Sequence, residues 1–193
     1  MVVGRRIVFI FCFLTGFNAH TAHDAPSIQG EVMNVVQQVL TVTSSAFKAG
    51  EPIPPQYSCD GDNRSPQLLW DNAPQETQSF VLFCDDPDAP GKTWVHWVAY
   101  NIPANSTGLA ENIEQGKEEF ANGMRQGKSD FGKIGYGGPC PPSGVHRYFF
   151  KVYALSKKLD LAPGATKKVV EMAMQGLVIG AGQLMGTYAR SRD

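Results

Sequence analysis

The stretch HRYFFKVYAL, residues 146–155, has the composition of a buried strand, because aromatic side chains and valine pack well on a pleated surface. A second stretch, TWVHWVAYNIP at residues 93–103, has the same character. Each carries a histidine near its start and follows a loop rich in proline or glycine. Alternate residues share one face of an extended strand, and in the first stretch these are His146, Tyr148, Phe150 and Val152. The two stretches therefore predict a β architecture with two histidines close to strand starts.

Shorter apolar stretches upstream extend this pattern. SFVLFC at 79–84 and PQLLW at 66–70 predict two more strands, and VLTVTSSAF at 39–47 alternates with Leu40 and Val42 on one face. The proline-rich segment 52–66 cannot form a regular element, because proline lacks a backbone donor.

A helical pattern lies near the C-terminus, where Thr166 is expected to act as the cap. Its apolar face is formed by Val169, Val170, Ala173, Met174 and Leu177. Gly180, Gly182 and Gly186 weaken any continuation, and LMGTYAR at 184–190 is expected to close as a short strand. Several strands and one terminal helix predict a mainly β fold, a two-sheet antiparallel β-sandwich with a peripheral C-terminal helix.

The composition is that of one globular domain without a basic surface. The chain has 193 residues, 42% of them hydrophobic, and a formal net charge of −1. Lysine and arginine are scattered along it, which argues against nucleic acid as a partner. No cysteine spacing resembles a zinc knuckle, and neither a metal nor another cofactor is expected.

The first residues have the pattern of a targeting signal. Arg5 and Arg6 precede the apolar run Ile7 to Phe17, which is the length of a signal-peptide core and short for a membrane span. We therefore predict a signal peptide at 1–22, a linker or short helix at 23–36 and one domain at 37–193. The mature protein would be periplasmic or secreted without a stable membrane span; an uncleaved anchor is the alternative.

Three cysteines remain once Cys12 leaves with the signal. Cys84 ends an apolar run and is expected to be a buried thiol. Cys59 and Cys140 both lie in polar loops and are the plausible pair in an oxidising compartment, although two separate thiols remain open.

The loops before the two histidines carry the residues suited to a binding site. The first contains Asp85, Asp86 and Asp88 among prolines, and the second is GYGGPCPPSGV at 135–145. Gly137 and Gly138 of the second loop are expected to offer backbone N–H groups to an anion. Periodicity places His96 on one face of its strand together with Trp94, Val98 and Tyr100. Donors on one wall and carboxylates on the other predict a pocket for a phosphate-sized anion with an attached amine.

Other interpretations of these residues remain open. The acidic loop could be a simple turn and the histidines core residues. A hydrolase could use His96, His146 and Asp86 in acid/base or metal-assisted catalysis, but no serine or cysteine has the setting of a nucleophile. Cys140 near His146 is a weak thiol–imidazole candidate.

Two segments resemble the signature regions of a known family. DPDAP and WVHW within residues 86–97, together with GPCPPSGVHRYFF at 138–150, resemble the phosphatidylethanolamine-binding protein family, also called the Raf kinase inhibitor protein family. PIPPQYSCDGDNRSPQLLW and MGTYAR are similar to its bacterial and archaeal branch in particular. The resemblance covers Val39 to Arg190. This sequence departs from the family pattern at two places. The link GKT at 91–93 is short, and Gly180 and Gly182 interrupt the family's usual C-terminal helix.

The resemblance implies a β-sandwich with a small anion pocket at one end, which takes phosphate or a phosphoethanolamine-like head group of a phospholipid. Carried onto this sequence, the pocket residues are Asp86, Asp88, Trp94, His96, Gly138, Pro139, His146 and Tyr148. Asp86 and the two histidines would line the cavity and Trp94 would form a wall. Asp88 would brace the loop through Arg147. The implied role is a non-enzymatic binding protein that modulates or inhibits a protein target, a protease or a kinase.

Overall fold

The computed structural model describes residues 38–190 and contains two β-sheets and one short α-helix. The strands are β1 (Gln38–Val39), β2 (Thr41–Thr43), β3 (Leu68–Asp71), β4 (Ser79–Asp86), β5 (Trp94–Pro103), β6 (Gly108–Leu109), β7 (Arg125–Lys128), β8 (His146–Leu155), β9 (Gly164–Thr166) and β10 (Val178–Tyr188). The helix α1 is Lys167–Ala173, and a 3₁₀ turn covers Pro55–Tyr57. The predicted mainly β, two-sheet fold is confirmed.

The larger sheet has seven strands in the order β1-β10-β8-β4-β5-β7-β9, and the smaller has three in the order β2-β3-β6. Pairing is antiparallel except at the two edges of the large sheet, where β1 joins β10 and β9 joins β7 in parallel. β4 lies between β5 and β8 and is buried at all eight positions. This burial explains the continuous apolar run SFVLFC, because a central strand covered on both faces has no solvent-facing side.

Apolar side chains pack on both faces of the large sheet. A first core lies between the two sheets and joins Leu82 and Phe150 of the large sheet to Val42, Leu68 and Trp70 of the small one. A second core lies beneath α1. It contains Val81, Phe83, Val98, Tyr100, Leu155, Leu159, Val170 and Met174.

The predicted face of His96 is wrong. β4 pairs with β5 through Cys84–Trp97 and then Asp85–Val95, so His96 is the extra residue of a β-bulge. The His96 ring packs on Tyr148, a residue of the first core, whereas Val98 and Tyr100 lie in the second. An inserted residue changes the alternation of side chains locally, and periodicity alone does not reveal it.

The C-terminal segment also differs from expectation. α1 buries Val170 and Met174, but Val169, predicted for the apolar face, is exposed. Thr166 stands at the N-cap without a side-chain hydrogen bond to the helix. The strand β10 has 11 residues rather than the short tail 184–190.

The glycines of β10 allow the segment around Leu40 to approach closely, and they do not interrupt a helix. A Cβ on Gly182 would lie 2.2 Å from the carbonyl oxygen of Leu40, and one on Gly180 would lie 2.7 Å from the Leu40 side chain. The Leu40 N–H donates to the Ala181 carbonyl oxygen at 2.9 Å in the same region. These glycines therefore let the chain around β1 lie against β10.

A disulfide joins Cys59 to Cys140, the pairing that the sequence left open. It connects the loop after the 3₁₀ turn to the loop before β8, and the Cys59 N–H also donates to the Pro139 carbonyl oxygen at 3.0 Å. Cys84 is a buried free thiol, as expected. The predicted signal peptide at 1–22, Cys12 within it and the linker at 23–36 lie outside the described residues. In residues 38–190 no helix has the length and apolar character needed to cross a membrane.

Replacing Gly182 with alanine tests the close approach of Leu40 to β10. We expect the free energy of unfolding to fall by about 1–3 kcal/mol, because the added methyl group overlaps a backbone carbonyl that cannot move easily. Chemical denaturation measures the change. Gln183→Ala, at the exposed neighbouring position, is the control and is expected to change stability by less than about 0.5 kcal/mol. Unchanged stability of Gly182→Ala would contradict the close approach.

Candidate ligand-binding site

The predicted site residues come from three strand ends at one edge of the large sheet. Asp86 ends β4, Trp94 begins β5 and His146 begins β8. β4 is antiparallel to both neighbours, so its end lies beside their starts, and Asp86 pairs directly with Trp94. Residues separated by up to 60 positions in the chain are thereby brought to one place.

Asp86 holds His146. The carboxylate Oδ2 of Asp86 accepts a hydrogen bond from Nδ1 of His146 at 2.7 Å, and its Oδ1 accepts one from the Asp88 N–H at 2.8 Å. The second bond is the Asx turn typical of an Asp-Pro-Asp sequence. Both carboxylate oxygens are therefore engaged, the ring orientation of His146 is set, and its Nε2 is the nitrogen left for other contacts.

His96 is anchored differently, by a backbone carbonyl. Its Nδ1 donates to the Gly137 carbonyl oxygen at 2.7 Å, and its ring packs edge-on against Tyr148 and Phe131 with centroids 5.1 Å and 5.2 Å away. Burial lowers the pKa of His96, while the Gly137 carbonyl and the Asp86 charge act in the opposite direction. The ring is therefore neutral near pH 7, with Nε2 as its remaining hydrogen-bonding atom.

Two buried donors at this edge have no acceptor. Among residues 38–190 the Tyr148 hydroxyl and the Trp94 indole N–H make no hydrogen bond of ordinary geometry, although the Asp86 carboxylate and the Cys140 backbone lie close enough to the hydroxyl to influence its pKa. Burial and the nearby Asp86 charge raise the pKa of Tyr148, so its hydroxyl stays protonated. Leaving a buried donor unpaired costs about 1–3 kcal/mol and is uncommon in folded proteins.

A cavity of about 220 Å³ opens beside these groups. It is lined by Asp86, Ala89, Pro90, Trp94, His96, Phe131, Cys140 and Pro142. We call it the ligand cavity. Three of the predicted residues, Asp86, Trp94 and His96, line it directly. Two further predicted residues lie behind this lining: His146 is hydrogen-bonded to Asp86, and Tyr148 packs against the His96 ring.

The predicted site did not include the walls Ala89, Pro90, Phe131 and Pro142, and Cys140 was considered only as a disulfide or thiol candidate. Ala89 lies in the acidic loop and could have been included with it. Phe131 is one of two aromatic residues, with Tyr136, in the glycine-rich stretch 127–138, where a large apolar side chain has no obvious core to join. That contrast was the available signal for Phe131.

Asp88 has the bracing role that the resemblance implied. Its Oδ1 and Oδ2 accept hydrogen bonds from Nη2 and Nε of Arg147 at 2.7 Å and 2.9 Å, and Oδ2 also accepts from the Arg147 backbone N–H. The Arg147 guanidinium lowers the pKa of Asp88 to about 2. This two-pronged contact ties the acidic loop to the start of β8.

The expected roles of Gly138 and Pro139 need correction. The Gly137 N–H donates to the His96 carbonyl oxygen at 2.9 Å, and the Gly138 N–H donates to Asn63 Oδ1 at 2.7 Å. Neither N–H is therefore left for an anion. A Cβ on Gly138 would lie 2.4 Å from the Tyr57 carbonyl oxygen, so this glycine permits two loops to pack closely. Gly138 and Pro139 shape the loop and do not line the ligand cavity.

The thiol–imidazole alternative does not fit this structure, because the Cys140 sulfur is bonded to Cys59. Among residues 38–190 no group of three or more His, Cys, Asp and Glu side chains is placed to hold a metal ion. Two larger cavities, of about 550 Å³ and 480 Å³, border α1 and contain none of the predicted site residues. The ligand cavity offers the His96 imidazole, the Trp94 side chain and the Asp86 carboxylate, with the His146 imidazole held behind Asp86, which suits binding of a small polar group.

Comparison with known proteins gives one consistent family. The family model described as phosphatidylethanolamine-binding protein matches residues 43–189. A UPF0098 protein of Methanothermobacter thermautotrophicus is 52% identical over 78% of this chain and 99% of its own length. One from Aquifex aeolicus is 48% identical over 79% of this chain and 90% of its own.

Two solved structures are similar. The phosphatidylethanolamine-binding protein homolog CT736 from Chlamydia trachomatis superimposes with a TM-score of 0.73 at 39% identity, covering 80% of this chain and 99% of that one. Escherichia coli YbcL, described as a new member of the mammalian family, gives a TM-score of 0.72 at 35% identity over 79% and 99% of the two chains. With the family model spanning most of the domain and relatives near half identity, the chain belongs to the phosphatidylethanolamine-binding protein family.

Proposed function

We propose that this protein binds a small phosphate-type anion, such as a phosphoethanolamine-like head group, in the ligand cavity. Membership of the family supports a binding role in general. The observation that carries the finer proposal is the pair of buried donors without acceptors, the Tyr148 hydroxyl and the Trp94 indole N–H. A phosphate group presents several strong acceptor oxygens. In this proposal it accepts from the Trp94 indole N–H at the cavity wall and reaches the Tyr148 hydroxyl behind His96.

The polarity of the cavity sets the orientation of the ligand. Asp86 contributes negative charge on its side of the cavity, whereas His96 and Trp94 contribute a protonatable nitrogen and an indole N–H on the other, and Tyr148 packs behind His96. An anion beside Asp86 would be repelled, so the phosphate belongs near His96 and Tyr148. An attached ammonium group belongs near Asp86, whose carboxylate can accept more hydrogen bonds than the two it already has.

The proposed activity is binding without turnover. The Asp86–His146 hydrogen bond is the one observation that favours the hydrolase alternative, since a carboxylate orients a catalytic imidazole in the same way. If the protein hydrolyses a phosphoester and Asp86→Asn abolishes that hydrolysis, the hydrolase alternative is supported. If no phosphoester or peptide substrate is hydrolysed, the hydrolase alternative is excluded.

Replacing Tyr148 with phenylalanine tests the unpaired hydroxyl. We expect inorganic phosphate to bind about tenfold or more weakly, because a hydrogen bond to a charged group contributes about 1.5–3 kcal/mol. The unliganded variant should be no less stable than the parent, because the hydroxyl has no acceptor among residues 38–190. Titration calorimetry and thermal unfolding measure the two quantities.

Tyr100→Phe is the matched control for this substitution. Its hydroxyl donates to the Ala162 carbonyl oxygen and its side chain lies in the second core, away from the ligand cavity. It should lose stability and keep its affinity for phosphate. Equal phosphate affinity in Tyr148→Phe and the parent would count against the proposed site.

The pH dependence of anion binding tests the role of His96. Burial lowers its pKa in the free protein, and a bound anion would stabilise the imidazolium and raise that pKa. Binding then takes up a proton, so affinity should be highest at low pH and fall as pH rises through the raised pKa of the complex. Sulfate is the suitable probe because it does not titrate in this range. In His96→Gln the slope should flatten, and an unchanged slope would exclude His96 as its source.

We also propose export to the periplasm or the medium, with a protease rather than a cytosolic kinase as the protein target. The N-terminal pattern at 1–22 and the Cys59–Cys140 disulfide support export, because disulfides persist mainly in oxidising compartments. The intact mass of protein recovered from cell fractions tests this. We expect a chain shortened near residue 22 with one disulfide outside the cytoplasm; a full-length chain in the cytosol would refute export.

A further inference from the structure

A second cavity, of about 240 Å³, adjoins the ligand cavity and shares Phe131 and Cys140 as walls with it. We propose that this second cavity is a subsite for a negatively charged group of the ligand, a carboxylate attached to the phosphate-type group. Phe131 then determines how far apart the two anionic groups must be. The inference rests on the proposed function, since it places one end of the ligand in the ligand cavity.

Phe131 is held as a fixed partition between the two cavities. Its ring packs edge-on against Trp94 and His96, with centroids 5.5 Å and 5.2 Å away. A Cβ on Gly137 would lie 2.5 Å from the ring, so the ring occupies space that only a glycine at 137 leaves open. Contacts on three sides restrict rotation of the side chain, although 40% of the residue is exposed. A partly exposed aromatic ring held in this way can contact a ligand passing over it.

The charge of the second cavity favours an anion. Lys133 lines it, and no carboxylate does. Within the described part of the chain, Lys133 has no ion pair that would neutralise its ammonium group. The ligand cavity differs in this respect, because Asp86 lines it. Asp86 therefore gives the ligand cavity a partner for the ammonium group of a ligand, and Lys133 gives the second cavity a partner for a further anionic group.

The hydrogen-bonding groups that remain free in the second cavity suit an oxyanion such as a carboxylate. The Tyr136 and Ser129 hydroxyls are occupied, because they donate to the carbonyl oxygens of Tyr57 and Lys133. Asn63 uses its Oδ1 to accept from the Gly138 N–H, which leaves the two protons of its amide nitrogen. An ammonium group and an amide donor on one cavity suit two acceptor oxygens carrying one negative charge.

The ligand class that fits both cavities is a phosphate ester that carries a carboxylate and an ammonium group, as a phosphoserine head group does. The phosphate would lie near His96, the ammonium near Asp86 and the carboxylate near Lys133. The same chemistry is present in a free phosphorylated amino acid and in an anionic phospholipid head group. Binding of soluble phosphoserine and of phosphatidylserine vesicles distinguishes these two sources, and either supports the inference.

Matched ligand pairs that differ only in the carboxylate test the subsite. O-phosphoserine is compared with O-phosphoethanolamine, and carboxyalkylphosphonates of increasing chain length are compared with alkylphosphonates of the same length. Calorimetry at low salt measures all affinities. We expect the carboxylate to strengthen binding about fivefold at one preferred chain length. A gain of this size is what an ion pair accessible to solvent contributes.

Lys133→Gln should remove this advantage and leave the affinity for inorganic phosphate unchanged. Lys128→Gln is the matched control, since it removes the same charge from another exposed lysine that lines a cavity next to α1. It should keep the advantage. Phe131→Ala joins the two cavities and should flatten the dependence on chain length.

The outcomes separate the two proposals. If phosphate binds but no carboxylate-bearing ligand binds more tightly than its partner, or if Lys128→Gln acts like Lys133→Gln, the subsite is refuted and the ligand cavity stands. If neither phosphate nor any member of the two series binds, the proposed function fails and this inference fails with it.

Discussion

The position of β4 between β5 and β8 is the constraint on which the rest of the structure depends. Backbone hydrogen bonds on both sides fix its register against two neighbours, and every one of its side chains is buried. Asp86 at its end is held against Trp94 by the β4–β5 ladder and against His146 by the hydrogen bond between their side chains. A rigid set of strand ends explains how loop-flanked residues are held at hydrogen-bonding distance of one another.

The neighbouring carboxylates Asp85 and Asp86 lie on opposite faces of β4 and have different partners. Asp85 points to the opposite face from Asp86, where it is fully buried and its Oδ2 accepts from Lys151 and Lys167 at 2.8 Å and 2.7 Å. Asp85 thereby links the start of α1 to the neighbouring strands β4 and β8. Asp86 instead orients an imidazole at the cavity. Two adjacent acids that look equivalent in sequence thus serve different parts of the molecule, because a strand sends successive side chains to opposite faces.

Much of the fold and the centre of the site could be predicted from sequence, where local patterns carry the information. The strands around His146 and Trp94 are continuous and apolar, and the Asp-Pro-Asp turn has a defined local chemistry. Prediction failed where the cause is a contact distant in sequence. The bulge at His96 depends on pairing with β4, the N–H of Gly138 is taken by Asn63, and Gly182 is required by Leu40. Phe131 was missed because nothing near it in sequence indicates which ring it will contact.

The disulfide between Cys59 and Cys140 closes a loop across 81 positions of the chain and borders both cavities through Cys140. Without the disulfide, these two loops would be held together only by non-covalent contacts, such as the hydrogen bond from the Cys59 N–H to the Pro139 carbonyl oxygen. The cavity rim is therefore completed by an oxidation reaction between two cysteine thiols. The redox state of its surroundings becomes an input to the shape of the site, and the same sequence would have a tighter rim in an oxidising compartment than in a reducing one.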